Sequence, residues 1–123
     1  MTIRLMLADD HRMLREGLGR SMREQGFDVV GEAGDGAEAV SMAQRLRPDV
    51  ILMDVTMPEM DGVETIRQMM TLQPPPNILV VSALNDKSTA IMALRLGARG
   101  FINKPFTDQE LRAALLDVAD TSA

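Results

Sequence analysis

Five polar side chains that could do chemistry together follow or close short apolar runs of the sequence. Asp9 and Asp10 follow the first of these runs, and Asp54 follows the third. Ser82 closes the fourth run, and Lys104 follows the fifth. Three carboxylates, one hydroxyl and one ammonium group would form a common site if the fold brought the ends of these runs together.

The chemistry of such a cluster is constrained by its charge. Clustered carboxylates repel one another, so one of them would take up a proton unless a cation joined the site. Mg²⁺ suits this donor set, because it binds one or two carboxylates, keeps water ligands and contacts phosphate oxygens. A carboxylate beside Mg²⁺, a hydroxyl and an ammonium group can act as a nucleophile towards a phosphoryl group. The metal and Lys104 would stabilise the charge on the transferred group.

The segments between these residues predict five strand–helix units. Short aliphatic runs alternate with longer segments of helical periodicity, such as Leu111, Leu115 and Val118 at i, i+4 and i+7. Thr107 and Glu110 have the spacing of a capping box that begins the last helix. The predicted strands are Ile3–Ala8, Phe27–Ala33, Val50–Met53, Ile78–Ser82 and Gly100–Asn103.

This alternation predicts an α/β fold with a parallel sheet and helices on both faces. The runs Val50–Met53 and Ile78–Val81 are apolar throughout, as is typical of strands buried on both faces. With right-handed crossovers, the common five-stranded solution is the flavodoxin-like three-layer (βα)5 arrangement with strand order 2-1-3-4-5. It places the first and third strands side by side, so the five polar side chains should converge at the carboxyl edge of the sheet.

The composition excludes several classes of protein. A chain of 123 residues with 46% hydrophobic and 25% charged residues predicts one globular domain over residues 1–123. A formal net charge of −5 disfavours nucleic-acid binding, and the lack of cysteine excludes a disulfide scaffold or a thiol nucleophile. No apolar run reaches membrane-spanning length and no signal peptide is evident, so no membrane contact and a cytoplasmic location are expected.

Four segments in order resemble the receiver domain of bacterial two-component response regulators. The resemblance extends over essentially the whole chain, and no single segment would be decisive alone. The segments are Leu7–Asp10, Leu52–Gly62, Val80–Ala83 and Gly97–Phe106.

The resemblance implies that Asp54 is the phosphoacceptor and that Mg²⁺ is the cofactor. Asp9 and Asp10 would hold the metal directly or through water, together with Asp54. The backbone carbonyl of Thr56 would be a further metal ligand, so the side chain at that position is incidental.

The resemblance also implies a switch at the neighbouring strand ends. Ser82 and Lys104 would bind the phosphoryl oxygens, and the Lys104–Pro105 peptide bond is expected to be cis. Phe101 occupies the position of the family's switch aromatic, which moves inward when the hydroxyl of Ser82 turns towards the phosphoryl group. A phenylalanine keeps the steric part of this switch but has no hydroxyl of its own.

The implied partners are a sensor histidine kinase, which donates the phosphoryl group, and an effector or output domain. A phosphorylation-dependent homodimer is a further expectation. Asp9–His11, Leu14–Leu18 and Val30–Gly36 are similar to receivers of NarL/LuxR-type transcriptional regulators, whereas Lys104–Phe106 is typical of other receivers. No DNA-binding domain precedes Ala123, so both a stand-alone receiver acting by protein–protein contact and an excised receiver remain open.

Two other functions on the same topology are weaker interpretations. An aspartyl-phosphate phosphatase of the haloacid dehalogenase type would need an acid two residues after the nucleophile, where this sequence has Thr56. A flavodoxin would need a hydroxyl-rich phosphate loop and aromatic rings, whereas Asp9 and Asp10 follow the first strand and the chain has no Trp or Tyr. The only histidine, His11, is interpreted as the start of the first helix rather than as a ligand.

Overall fold

The computed structural model describes residues 2–55, 61–83 and 85–120. These residues form five strands and five helices that alternate along the chain. In chain order they are β1 (Arg4–Ala8), α1 (Arg12–Glu24), β2 (Asp28–Ala33), α2 (Gly36–Leu46), β3 (Val50–Asp54), α3 (Gly62–Met69), β4 (Ile78–Ala83), α4 (Lys87–Leu96), β5 (Gly100–Lys104) and α5 (Asp108–Asp120).

The strands form one parallel sheet in the order β2-β1-β3-β4-β5. This confirms the flavodoxin-like order predicted from the alternating pattern. β1 and β3 are neighbours, with Ala8 opposite Met53, so the residues that follow these two strands meet at one edge. The helices among the described residues lack the length and apolar character that crossing a membrane requires.

Helices cover both faces of the sheet, which explains why β3 is apolar up to its last residue. Every residue of β3 is buried, and its side chains alternate between two hydrophobic clusters. Ile51 and Met53 pack with Ile66 of α3, while Leu52 packs with Leu111 and Leu115 of α5. A strand that is covered on both sides has no polar face, so its sequence shows no alternation.

Side-chain caps set where the helices begin. His11 is the N-cap of α1, and its Nδ1 atom accepts a hydrogen bond from the Leu14 amide at 3.4 Å. This agrees with its interpretation as a helix-start residue. At α5 the predicted capping box is formed, because the Glu110 amide donates to Thr107 Oγ1 at 3.0 Å and the Thr107 amide donates to Glu110 Oε1 at 2.9 Å.

Two peptide bonds before proline are cis among the described residues. One is Lys104–Pro105, directly after β5. The other, Gln73–Pro74, opens the proline-rich turn between α3 and β4 and was not predicted.

Two helical glycines differ in the space around them and provide a test of this packing. A Cβ atom added at Gly62 would lie 2.6 Å from Val55 Cγ1 and 2.9 Å from Val55 Cα, so Gly62→Ala requires the backbone to move. We expect this substitution to lower the free energy of unfolding by about 1–3 kcal/mol. At Gly17 the nearest heavy atom would be Arg20 Nη2 at 3.8 Å. Gly17→Ala should therefore stabilise α1 by about 0.5–1 kcal/mol.

Urea denaturation of the two variants and the wild type measures both effects. Shifts of the same sign in Gly62→Ala and Gly17→Ala would contradict the close contact between α3 and the end of β3.

Candidate functional site

The carboxyl ends of four strands supply the site. Asp9 follows β1, Asp54 is the last residue of β3, Ser82 lies one residue before the end of β4, and Lys104 ends β5. The parallel register places these ends side by side, with Asp54 opposite Val81 of the next strand. The residues that the sequence distributes over almost 100 positions therefore lie along one edge of the sheet.

Asp54 and Lys104 form the central contact. Lys104 Nζ lies 2.6 Å from Asp54 Oδ2, and only 4% of the Asp54 side chain is exposed. One strand, β4, lies between β3 and β5 in the sheet, so the lysine side chain reaches past the end of β4 to Asp54. The ammonium group offsets the cost of holding a carboxylate in a buried position.

The pKa of Asp9 is shifted by its burial and by the other charges at this edge. Its pKa is raised, mainly because the carboxyl is partly buried, and the charges of Asp54 and Asp10 raise it further. Two contacts act in the opposite direction: the His11 amide donates to Asp9 Oδ1 at 2.8 Å, and Lys104 contributes positive charge. The carboxylates thus repel one another more than Lys104 can offset at Asp9.

Arg15 positions the loop that carries Asp9 and was not identified from the sequence. Its Nη1 atom donates to the Asp9 carbonyl oxygen at 2.7 Å, and its Nε atom pairs with Glu32 at 3.3 Å. One feature of the sequence pointed to a role near Asp9: Arg15 lies on the first turns of the predicted first helix, next to an acidic loop. A lone helical arginine nevertheless does not reveal which carbonyl it will reach.

The donor set fits Mg²⁺, although the ligands are not assembled in advance. Within residues 2–55, 61–83 and 85–120, no three acidic, histidine or cysteine side chains lie close enough to form a ready-made metal cage. Burial is the main cause of the raised pKa of Asp9, and the neighbouring charges of Asp54 and Asp10 add to it; a hard divalent cation would relieve this repulsion. Thr56, whose carbonyl was expected to be a further ligand, lies outside the described residues.

Ser82 is fully buried, and its hydroxyl donates a hydrogen bond to a residue other than Asp54. Ser82 Oγ donates a hydrogen bond to Asn103 Oδ1 at 3.0 Å. The sequence predicted Ser82 at this edge but did not identify Asn103 as its partner. The available signal was a polar residue inside an otherwise apolar strand, directly before Lys104.

The ring of Phe101 points outward, with 45% of the residue exposed. A large aromatic side chain in this position on a β-strand is normally covered. Phe101 therefore has apolar surface available for a change of position or for a partner.

A groove of about 540 Å³ opens beside the ion pair. Asp9, Asp54 and Lys104 lie at its polar end, and Met13 and Phe106 contribute to its apolar walls. Met13 is 80% exposed, so the wall on the α1 side is open to solvent. The groove therefore connects the Asp54–Lys104 pair with the solvent-exposed surface of α1.

Comparisons with known proteins agree with this geometry. A family model described as "Response regulator receiver domain" matches residues 5–116. The chemotaxis protein CheY of Thermotoga maritima is 38% identical over 94% of this chain and 97% of its own length. The transcriptional regulatory protein DegU of Brevibacillus brevis is 37% identical over 98% of this chain but only 52% of its own length.

The fold is also found in solved structures. The signal receiver domain of the putative response regulator NarL from Mycobacterium tuberculosis superposes with a TM-score of 0.86 at 37% identity, and the match covers 97% of each chain.

The raised pKa of Asp9, caused mainly by burial and further by neighbouring carboxylates, predicts a dependence of stability on pH. Because its pKa in the folded protein is raised above the ordinary value of 3.8, the folded protein holds a proton that the unfolded chain has already lost. Stability contributed by this group therefore falls as pH rises above that value. Asp9→Asn keeps an acceptor for the His11 amide and removes the charge. Without metal, the variant should be more stable than the wild type at pH 7, and the difference should shrink towards pH 4.

Urea denaturation in the presence of a chelator at both pH values measures this difference. Glu24→Gln, at an exposed carboxylate that ends α1, is the control and should show no comparable gain. A variant that is less stable than the wild type at pH 7 would contradict charge crowding at this edge.

Proposed function

This chain belongs to the response regulator receiver domain family, and from this premise we propose that it is a signalling switch controlled by phosphorylation of Asp54. Residues 1–123 then act as one receiver domain. A sensor histidine kinase supplies the phosphoryl group, and the phosphorylated domain controls an effector. We place the reaction in the cytoplasm, as is typical of response regulators.

The main support for this proposal is the ion pair between the buried Asp54 carboxylate and the partly exposed Lys104, both of which line an open groove. In the transfer step an oxygen of the Asp54 carboxylate attacks phosphorus, and a new P–O bond forms. The bond between phosphorus and the donor breaks, and its electron pair leaves with the donor. Lys104 lies close enough to Asp54 to contact an oxygen of the incoming group and to offset its charge.

Mg²⁺ is the proposed cofactor, and receiver domains generally bind it for phosphorylation. Asp9, Asp10, Asp54 and the backbone carbonyl of Thr56 would hold it. When bound, it supplies positive charge that screens the carboxylates and stabilises the phosphoryl oxygens. The excess negative charge at Asp9 supports this assignment.

Ser82 and Phe101 form the proposed switch. After transfer, the Ser82 hydroxyl turns to a phosphoryl oxygen and vacates space that the Phe101 ring can enter. The outward position of the ring in the unphosphorylated chain supports this order of events. Burying a phenylalanine ring contributes roughly 1.5–3 kcal/mol, enough to bias a two-state equilibrium by tenfold or more.

Two kinds of effector are compatible with the family. The similarity to DegU supports transcriptional control through a DNA-binding domain outside this chain, because the matching part is about half of that regulator. The similarity to CheY over almost its full length supports a receiver that acts through protein–protein contact. A phosphorylation-dependent homodimer is a further proposal. With a net charge of −5, residues 1–123 are not expected to bind nucleic acid directly in either case.

The chain is not proposed to be an enzyme acting on outside substrates, and it catalyses only its own phosphorylation and dephosphorylation. An aspartyl-phosphate phosphatase remains a remote alternative. It is disfavoured because Thr56 stands where such enzymes place their general acid.

Phosphorylation by a small donor tests the acceptor. With Mg²⁺ and acetyl phosphate, the wild type should gain one base-labile phosphoryl group, whereas Asp54→Asn should gain none, because a neutral amide is not a nucleophile. Intact-protein mass spectrometry measures the mass added. Asp117→Asn, at an exposed position of α5, is the matched control and should react like the wild type. Equal phosphorylation of Asp54→Asn and the wild type would refute the assignment.

Metal binding tests the carboxylate cluster separately. We expect Asp10→Ala to weaken Mg²⁺ binding by about tenfold or more while the metal-free protein stays at least as stable, because one repelling charge is removed. Calorimetric titration measures the affinity, and urea denaturation measures the stability. An unchanged affinity for Mg²⁺ would remove Asp10 from the proposed site.

A further inference from the structure

The hydrogen bond between Ser82 and Asn103 joins two neighbouring strands on one face of the sheet. Ser82 lies directly opposite Asn103 in the register of β4 and β5, and Val80 lies opposite Phe101. Side chains alternate along a strand, so Phe101 and Asn103 project to the same face. Ile102, between them, packs instead into the cluster that contains Leu111 and Leu115 of α5.

The ion pair of the proposed phosphorylation site belongs to the opposite face. Asp54 follows Leu52 by two residues, and Leu52 packs with α5, whereas Met53 packs with α3. The Ser82 hydroxyl and the Asp54 carboxylate therefore approach each other only at the carboxyl edge of the sheet. A bond that holds the hydroxyl towards Asn103 also holds it away from that edge.

We propose that Asn103 is a positioning residue that holds the Ser82 hydroxyl in the unphosphorylated state and competes for it with the phosphoryl group on Asp54. This inference rests on the proposed function. The hydroxyl has one proton, so it donates either to Asn103 Oδ1 or to a phosphoryl oxygen. Asn103 thereby sets how readily the Ser82–Phe101 switch responds to phosphorylation.

The shift in the equilibrium on removing the Asn103 amide can be estimated from the energy of one hydrogen bond. When the amide is removed, the fully buried Ser82 hydroxyl loses the acceptor seen in this structure, which destabilises the unphosphorylated arrangement. The arrangement with a phosphoryl group is unaffected, because the hydroxyl then has another acceptor. The equilibrium should move towards the phosphorylated arrangement by about fivefold, the equivalent of one hydrogen bond of about 1 kcal/mol.

The first measurement examines the hydrogen bond without any phosphoryl group. In the unliganded protein, Ser82→Ala should shift the side-chain amide resonances of Asn103 in a ¹⁵N–¹H NMR spectrum. Ile102→Val, on the opposite face of the same strand, is the control and should leave these resonances in place. Unchanged Asn103 resonances in Ser82→Ala would overturn the proposal.

The second measurement examines the competition, with beryllium fluoride and Mg²⁺ as the phosphoryl analogue. Asn103→Val should lower the half-saturating concentration of beryllium fluoride by about fivefold relative to the wild type. In the Ser82→Ala background the same substitution should change it by less than twofold, because no hydroxyl remains to be released. Asn103→Leu, which is closer in volume to asparagine, replaces Asn103→Val if circular dichroism shows that the latter is unfolded.

Different outcomes would refute the role of Asn103 and the proposed phosphorylation of Asp54. Equal effects of Asn103→Val in both backgrounds, or weaker binding in Asn103→Val alone, would overturn the role of Asn103. If the wild type itself fails to bind the analogue although Ser82→Ala shifts the Asn103 resonances, the proposed phosphorylation of Asp54 is wrong and the competition is refuted with it.

Discussion

Negative charge gathered at the carboxyl edge of the sheet is the constraint on which the rest of this structure depends. Asp54 is almost fully buried at that edge, and the pKa of Asp9 is raised, mainly by partial burial and further by the charges of Asp54 and Asp10. Lys104 partly balances this charge through its contact with Asp54. The remaining repulsion between carboxylates at this edge is the physical basis of the proposed Mg²⁺ site, because a divalent cation would relieve it.

Lys104 reaches Asp54 only because the sheet has a particular order. β4 lies between β3 and β5, so the lysine must extend across one strand from the end of β5. The complete burial of β4 up to Ser82 keeps the strands in register beneath this contact. The hydrophobic core and the charged edge are therefore parts of one arrangement, in which apolar side chains on both faces fix the positions of the few polar groups.

The two faces of the sheet carry different parts of the proposed switch. Asp54 and the groove walls lie on the side of α1 and α5. Ser82, Asn103 and Phe101 lie on the other side, where the Ser82 hydroxyl donates to Asn103 and the Phe101 ring is partly exposed. In the proposed switch, the Ser82 hydroxyl is the group that links phosphorylation on one face to the ring on the other.

The strand order and the residues at the strand ends could be predicted from the amino-acid sequence. The unbroken apolar runs of β3 and β4 and the helical periodicity between strands leave few topologies, and any of the doubly wound ones brings Asp9, Asp54 and Lys104 to the same edge. The pairing of Ser82 with Asn103 and the attachment of Arg15 to the Asp9 carbonyl were decided only by the tertiary structure. Both depend on the register between strands and on side-chain rotamers, which are set by packing on all sides. Periodicity along the chain predicts which residues share a face, but it carries no information about which atoms on that face come within 3 Å of one another.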